Sequence, residues 1–214
     1  IDIKSIRALC SKGLSINCPP EDRALAWLNL LSIYPSNPQH WLTVCKTISK
    51  SYQGMNINYS VDNFLNNSNV PDNSLMETIK ADINRSTLQL NYLIHKDGSK
   101  CSNKNEEMEL EIHKRRLERI LYIFAKVNPQ FGYIQGFNEL LIPIYYVISS
   151  AYMLFFSQIE YVEAVSYEVF QFLLISANLV EFFHLNAVGS ANKLIEFDDI
   201  LSNFLPKVYK KLKL

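Results

Sequence analysis

From Leu140 to Ile159 the chain runs twenty residues without a charged side chain. A run of that length must either cross a bilayer or be buried inside a protein core. Pro143, Ser149, Ser150, Ser157, Gln158 and several tyrosines interrupt it. Both flanks are acidic, Glu139 before and Glu160 after, where a spanning segment favours basic residues and an unbroken apolar stretch. The run therefore reads as a buried helical hairpin, with the break between its two helices at Ser149-Ser150.

The rest of the chain also follows helical spacing. Pro19-Pro20 followed by Glu21 and Asp22 suits a first turn, because proline has no N–H to lose there and acids oppose the positive end of the helix dipole. Trp27, Leu30, Leu31 and Tyr34 then recur until Pro35. Asn37-Pro38 opens a second helix through Trp41, Val44, Cys45 and Ile48 to Gly54. An asparagine-rich connection, 56–73, carries at most a short helix near Val61 to Leu65. Ser74-x-x-Glu77 has the form of a capping box launching the helix that holds Ile79, Asp82 and Arg85. After a polar loop, Lys96 to Asn105, the strongest helical pattern runs from Glu106 to Val127. Ile112, Leu117, Ile120, Leu121, Phe124 and Val127 form its apolar stripe, and Lys114, Arg115, Glu118 and Lys126 its wet face. Helices near Tyr161 to Val180 and Ser190 to Phe204 follow. No alternation long enough to build a sheet and no internal repeat is present, so the expected fold class is all-α.

Composition narrows the function. Lysine plus arginine equal aspartate plus glutamate at 21 each, which gives no basic surplus for binding nucleic acid. Four scattered cysteines, Cys10, Cys18, Cys45 and Cys101, make no CxxC pair and read as reduced thiols of a cytoplasmic protein. No secretory leader is legible at the start. With six glycines there is no phosphate-cradling loop, and neither a GxSxG elbow nor an HExxH helix occurs. His40, His95, His113 and His184 lie far apart, as surface or capped residues do. Neither a cofactor nor a metal site is expected, and the chain does not read as an enzyme that turns over a small substrate by itself.

Two stretches stand out. Ile79-x-x-Asp82-x-x-Arg85 places three side chains along one helical face, where Asp82 can hold Arg85. By itself this is also what an exposed acid–base pair beside a core isoleucine looks like. Gly132-Tyr133-Ile134-Gln135-Gly136-Phe137-Asn138-Glu139 sets a Tyr and a Gln between two glycines just after Asn128-Pro129. That fits a helix start where the backbone approaches something closely, or a tight loop packing an aromatic ring.

Taken in order, these stretches resemble the TBC family of Rab GTPase-activating proteins, whose signature is an IxxDxxR motif followed about fifty residues later by a YxQ motif. Ile6-Arg7-x-x-Cys10-x-x-Gly13-Leu14 resembles the family's opening, and Arg23-x-x-x-Trp27-x-x-Leu30-Leu31 its arginine–tryptophan motif, read as structural. Arg119-Ile120-Leu121 through Asn128-Pro129 and on to Glu139 resembles the helix and turn of the glutamine finger. The region of Glu163, Ala164, Phe170 and Phe172 is a looser match. The resemblance implies a multi-helix TBC domain over residues 1–214. It further implies that the domain continues beyond Leu214, leaving its C-terminal part outside this sequence.

The function so implied is acceleration of GTP hydrolysis on a Rab-like small GTPase by two residues given in trans. Arg85 would stabilise charge on the phosphoryl group and Gln135 would position the attacking water. Ile79, Asp82, Tyr133, Gly136 and Asn138 are implied as supporting or partner-contacting residues. GTP and Mg²⁺ would sit on the partner, with recruitment to endomembranes through that partner or flanking regions. Ser86 replaces a common Thr, Ile134 a common Cys or Val, and Phe137 a common Met; none removes a reacting group. The alternative is a TBC-type binding module that grips a small GTPase without accelerating hydrolysis.

Overall fold

The computed structural model describes residues 2–58, 73–183 and 187–212, and among them only helices, turns and loops occur. The short helix expected near Val61 to Leu65 lies outside the described residues. Contacts divide the chain into two compact units, Ile1–Phe172 and Leu173–Leu214.

In the first unit the helices are α1 (Ile3–Cys10), α2 (Pro20–Leu30), α3 (Trp41–Asn58), α4 (Asn73–Arg85), α5 (Thr87–Asn91), α6 (Lys104–Val127), α7 (Phe137–Ser150) and α8 (Ile159–Gln171). Helix α2 starts where the prolines place it, with Pro20 in the first turn beside Glu21 and Asp22. It ends sooner than Pro35. Ser32 takes φ 58°, and Ile33 and Tyr34 both return their N–H to the Leu28 carbonyl. Its buried face is also turned from the expected one: Ala24 and Leu28 are fully buried, whereas Trp27, Leu30 and Leu31 are half-buried. A single 3₁₀ turn, Pro38–His40, capped by the Asn37 side chain, leads into α3, which runs through Gly54 to Asn58.

Helix α4 begins at Asn73, so Ser74 lies inside the first turn and not ahead of it as the cap of the expected box. The box forms elsewhere. Asn103 Oδ1 accepts from the Glu106 N–H at 3.1 Å, and Glu106 Oε2 accepts from the Ser102 N–H at 2.7 Å, which starts α6 two residues before Glu106. The α6 stripe holds at Leu117, Ile120, Leu121 and Phe124, all fully buried. Two of its assignments change. Ile112 is 50% exposed, and Glu118, assigned to the wet face, is buried. The C-terminal half of α6 is covered nearly all round, with Tyr122, Ile123 and Ala125 buried too, so a one-sided stripe does not describe it.

The uncharged run is a core hairpin. Helix α7 ends at Ser150, a 3₁₀ turn spans Tyr152–Phe155, and α8 starts at Ile159. No helix among the described residues is long and apolar enough to cross a membrane. Pro143 sits inside α7 on its exposed side, where the carbonyl that loses its partner can reach water. Helix α8 packs against α3 and α7, and α4 against α6. Phe124, Phe137 and Phe170 meet edge to face, with centroids 5.2–6.0 Å apart, and join α6, α7 and α8 in one aromatic core. A bidentate ion pair also ties α6 to α8. Arg119 Nε and Nη2 donate to Glu163 Oε1 and Oε2 at 2.5 and 2.9 Å, and Tyr52 of α3 donates to Oε1 at 2.8 Å.

The single helix expected from Tyr161 to Val180 breaks at Gln171 into a π-helical turn, Phe172–Ser176. A 3₁₀ turn, Leu179–Phe182, follows, with Asn178 left-handed before it. The second unit then carries α9 (Ala187–Phe204) and α10 (Pro206–Leu212), joined by a Tyr209 hydroxyl that donates to Asp198 Oδ2 at 2.8 Å.

Candidate functional site

The two stretches singled out in the sequence meet in the first unit. Ile79 and Ile83, on the core side of α4, are fully buried and fix the helix against α6. That rotation brings Asp82 inward, with its side chain 3% exposed, while Arg85 one turn later stands 65% exposed at the helix's end and pairs with Asp82 Oδ1. The other carboxylate oxygen is occupied from across the fold: the Tyr133 hydroxyl donates to Asp82 Oδ2 at 2.8 Å. Burial pushes the Tyr133 phenol above its ordinary range, opposed by the Arg85 charge, so the proton needed for this bond stays in place.

Helix α7 begins at this contact. Gly132 (φ 62°) and Gly136 (φ 101°) turn the chain through conformations that side chains other than glycine rarely adopt. At Gly132 an added Cβ would meet nothing within 4 Å, so there backbone conformation, and not room, calls for glycine. Between them the Tyr133 ring packs edge-on to buried Phe137 at 6.1 Å, and Gln135 is exposed at the outside of the turn. Asn138, buried in the first turn of α7, donates from Nδ2 to the Asp82 carbonyl at 3.3 Å and to Ser86 Oγ at 2.8 Å. Ser86 Oγ in turn donates to the same carbonyl at 3.2 Å.

Ile79, Asp82, Arg85, Tyr133, Gly136 and Asn138 thus belong to one constellation, and Gln135 projects from its turn. Sequence reasoning noted Ser86 only as a departure from a common Thr. Its hydroxyl is a working member of the network, and any hydroxyl at that position carries the same signal. Lys114, on the expected wet face of α6, donates to Asn84 Oδ1 at 3.2 Å and braces the end of α4. Chemically the site presents an exposed guanidinium and an exposed primary amide on a rigid floor: a permanent planar cation, and a group with one acceptor and two donors. No group of three or more metal-ligating side chains occurs among the described residues.

A sequence model described as the Rab-GTPase-TBC domain matches residues 21–214. The GTPase-activating protein gyp1 of Schizosaccharomyces pombe is 26% identical over 156 residues, which cover 72% of this chain and 26% of that protein. A TBC domain-containing protein of the same yeast is 52% identical over 44 residues, 21% of this chain and 7% of that one. TBC1 domain family member 13 of Homo sapiens is 48% identical over 40 residues, 19% of this chain and 10% of that one. The chain therefore spans about a quarter or less of the length of these relatives. Among solved structures, the crystal structure of the Ypt/Rab-GAP domain of Gyp1p superposes with a TM-score of 0.67 at 17% identity, over all of this chain and 63% of that one. This likeness establishes the all-α fold.

Proposed function

Because this chain belongs to the Rab-GTPase-TBC domain family, we propose that it activates a Rab-like small GTPase by supplying Arg85 and Gln135 to the partner's nucleotide. The observation that carries the reading is the shared carboxylate of Asp82. It holds the side chain of Arg85 on one oxygen and, through Tyr133, the turn that displays Gln135 on the other.

A small GTPase alone is slow because charge developing on the transferring phosphoryl group is poorly compensated and the attacking water is poorly oriented. A guanidinium at the phosphate oxygens answers the first need, and an amide that accepts from and donates to water answers the second. Both groups stand exposed, as groups that act in another protein's site must. The chemistry remains the partner's, with GTP and Mg²⁺ bound there, and this chain is an activator and not itself the hydrolase. Asp82, Tyr133 and Asn138 hold the two groups in register, Gly136 permits the turn, and Ile79 anchors α4.

The test is single-turnover GTP hydrolysis across a panel of Rab proteins, with and without the chain. An arginine supplied in trans is worth roughly 10³ to 10⁵ in rate, so Arg85→Ala should abolish stimulation. Arg85→Lys should fail too, because an ammonium cannot reproduce the planar fork. Gln135→Ala should be severe. Stimulation by either variant equal to that of the parent sinks the two-residue assignment. Binding without any change in rate would assign the chain to a non-catalytic TBC-type module.

A further inference from the structure

Two adjoining clefts open on the first unit away from Arg85. One, of about 380 Å³, is lined by His113, Arg116, Tyr146, Ser150 and Tyr152, with Glu109 among its walls. The other, of about 430 Å³, is lined by Arg23, Lys96, Tyr146 and Ser150. Tyr146 and Ser150 border both, so a single stretch of α7 separates them.

The charge in these clefts is one-sided. Arg23, Lys96 and Arg116 contribute three cations, and none forms an ion pair among the described residues. Glu109, exposed, is the one carboxylate among the described residues lining either cleft. Half-buried Arg116 spends one N–H on the Tyr145 hydroxyl at 3.4 Å, and half-buried Arg23 gives Nη2 to the Ser15 carbonyl at 2.9 Å. An arginine has five N–H donors, so most of both forks stay unused. His113 borders the first cleft and shares a hydrogen bond between its Nδ1 and the Tyr145 hydroxyl at 2.9 Å; with that hydroxyl as donor, the imidazole N–H lies on Nε2 and adds another donor. Burial, with help from Arg116, lowers the His113 pKa to about 4, so this donor is neutral at pH 7. The clefts are therefore rich in donors and poor in acceptors, and uncompensated cations in a recess attract anions.

We propose that the paired clefts bind a ligand carrying two or more phosphate groups, with Arg116 and His113 on one side of the Tyr146–Ser150 wall and Arg23 and Lys96 on the other. A guanidinium fork matches a phosphate bidentately, and cations on both sides of the wall suit two anionic groups better than one. Such a ligand is either a soluble polyphosphate or a phosphorylated lipid headgroup. One local feature bears on the source. The turn after Tyr152 exposes Met153 (70%) and Phe156 (44%) beside the first cleft. Left-handed Phe156 and Ser157, and a bond from the Tyr152 hydroxyl to the Ser157 carbonyl, hold that turn.

Calorimetry with inorganic pyrophosphate, and co-sedimentation with phosphatidylcholine vesicles with and without phosphatidylinositol bisphosphate, test the site and its source. Losing one charge-assisted contact should weaken binding roughly tenfold or more. That loss is expected for Arg116→Gln and for Lys96→Gln, whose exposed side chain makes it neutral to folding, and not for Lys46→Gln, an equal change of charge on α3. Sedimentation that needs the phosphorylated lipid and falls in Met153→Ser/Phe156→Ser, with pyrophosphate binding kept, identifies a headgroup. Pyrophosphate binding without sedimentation identifies a soluble ligand. The proposal is overturned if neither probe binds, if binding survives both cleft substitutions, or if Lys46→Gln weakens it equally.

Discussion

The Tyr133 hydroxyl and the Asp82 carboxylate, fifty-one residues apart in the chain, meet at 2.8 Å in the floor of the candidate site. Each belongs to a stretch that is ambiguous alone. The contact converts a helix-surface ion pair and a glycine-bracketed turn into a single unit, because Asp82 cannot shift to release Arg85 without pulling on the turn that carries Gln135.

Tyr133→Phe should therefore destabilise the first unit. The ring keeps its packing on Phe137, but buried Asp82 Oδ2 loses its donor, at a cost of about 1–3 kcal/mol. Arg85→Ala leaves Asp82 buried, but the arginine it removes is 65% exposed, so water can take the vacated place at Oδ1 and the loss should stay below about 1 kcal/mol. Urea denaturation of both variants checks the order. An Arg85→Ala penalty equal to or above that of Tyr133→Phe would show that the carboxylate is held mainly by the arginine.

Gly136→Ala should cost more than Gly132→Ala. At φ 62° Gly132 lies in the ordinary left-handed well, where a side chain costs about 1–2 kcal/mol, and space is open around it. Gly136, at φ 101°, lies outside that well and just after Gln135. Denaturation midpoints give the comparison, and equal midpoints for the two variants would refute it.

Helices whose ends are set by local chemistry were legible in the sequence. The Pro19-Pro20 start of α2, the Asn37-Pro38 entry to α3 and the break after Ser150 are features of a few adjacent residues. What local patterns do not report is which neighbour a helix meets. Glu118 has the spacing of a wet face but is buried, with the Arg115 guanidinium 3.6 Å away. Ile112 has the spacing of the core but borders a cleft. Asn103-x-x-Glu106 has the same form as Ser74-x-x-Glu77, and the letters alone do not report that its loop brings the Ser102 N–H to the glutamate. The residues of the candidate site were legible as types and order, though not as neighbours in space. The bridge through Asn138 and Ser86 was not, since it depends on how α4 and α7 pack.

Arg119 and Glu163 supply a prediction about packing. Arg119→Met would leave Glu163, 8% exposed, with a buried charge answered among the described residues by the Tyr52 hydroxyl, and should cost about 3–5 kcal/mol. Adding Glu163→Met removes the stranded charge and should restore most of that loss. A double-mutant cycle by chemical denaturation reads the coupling. Additive losses from the two substitutions would mean that the pair contributes through packing of its stems and not through charge.

His113 should give the fold a pH dependence of known sign. Burial and Arg116 place its folded pKa at about 4, below the ordinary 6.5. Between those values the unfolded chain takes up a proton that the folded chain refuses. Stability from this group is thus complete above about pH 6.5 and declines as pH falls toward 4, by at most about 1.4 kcal/mol per pH unit. Buried Glu118 works the other way, since burial raises its carboxyl and the folded chain accepts that proton first. The His113 contribution is therefore the difference between the parent and His113→Gln, in which Glu118 and the remaining carboxylates cancel. Denaturation in phosphate-free buffer should give curves that converge as pH falls from 6.5 to 4. Parallel curves across that window would mean that the imidazole titrates as it does in the unfolded chain and that burial beside Arg116 does not hold it neutral.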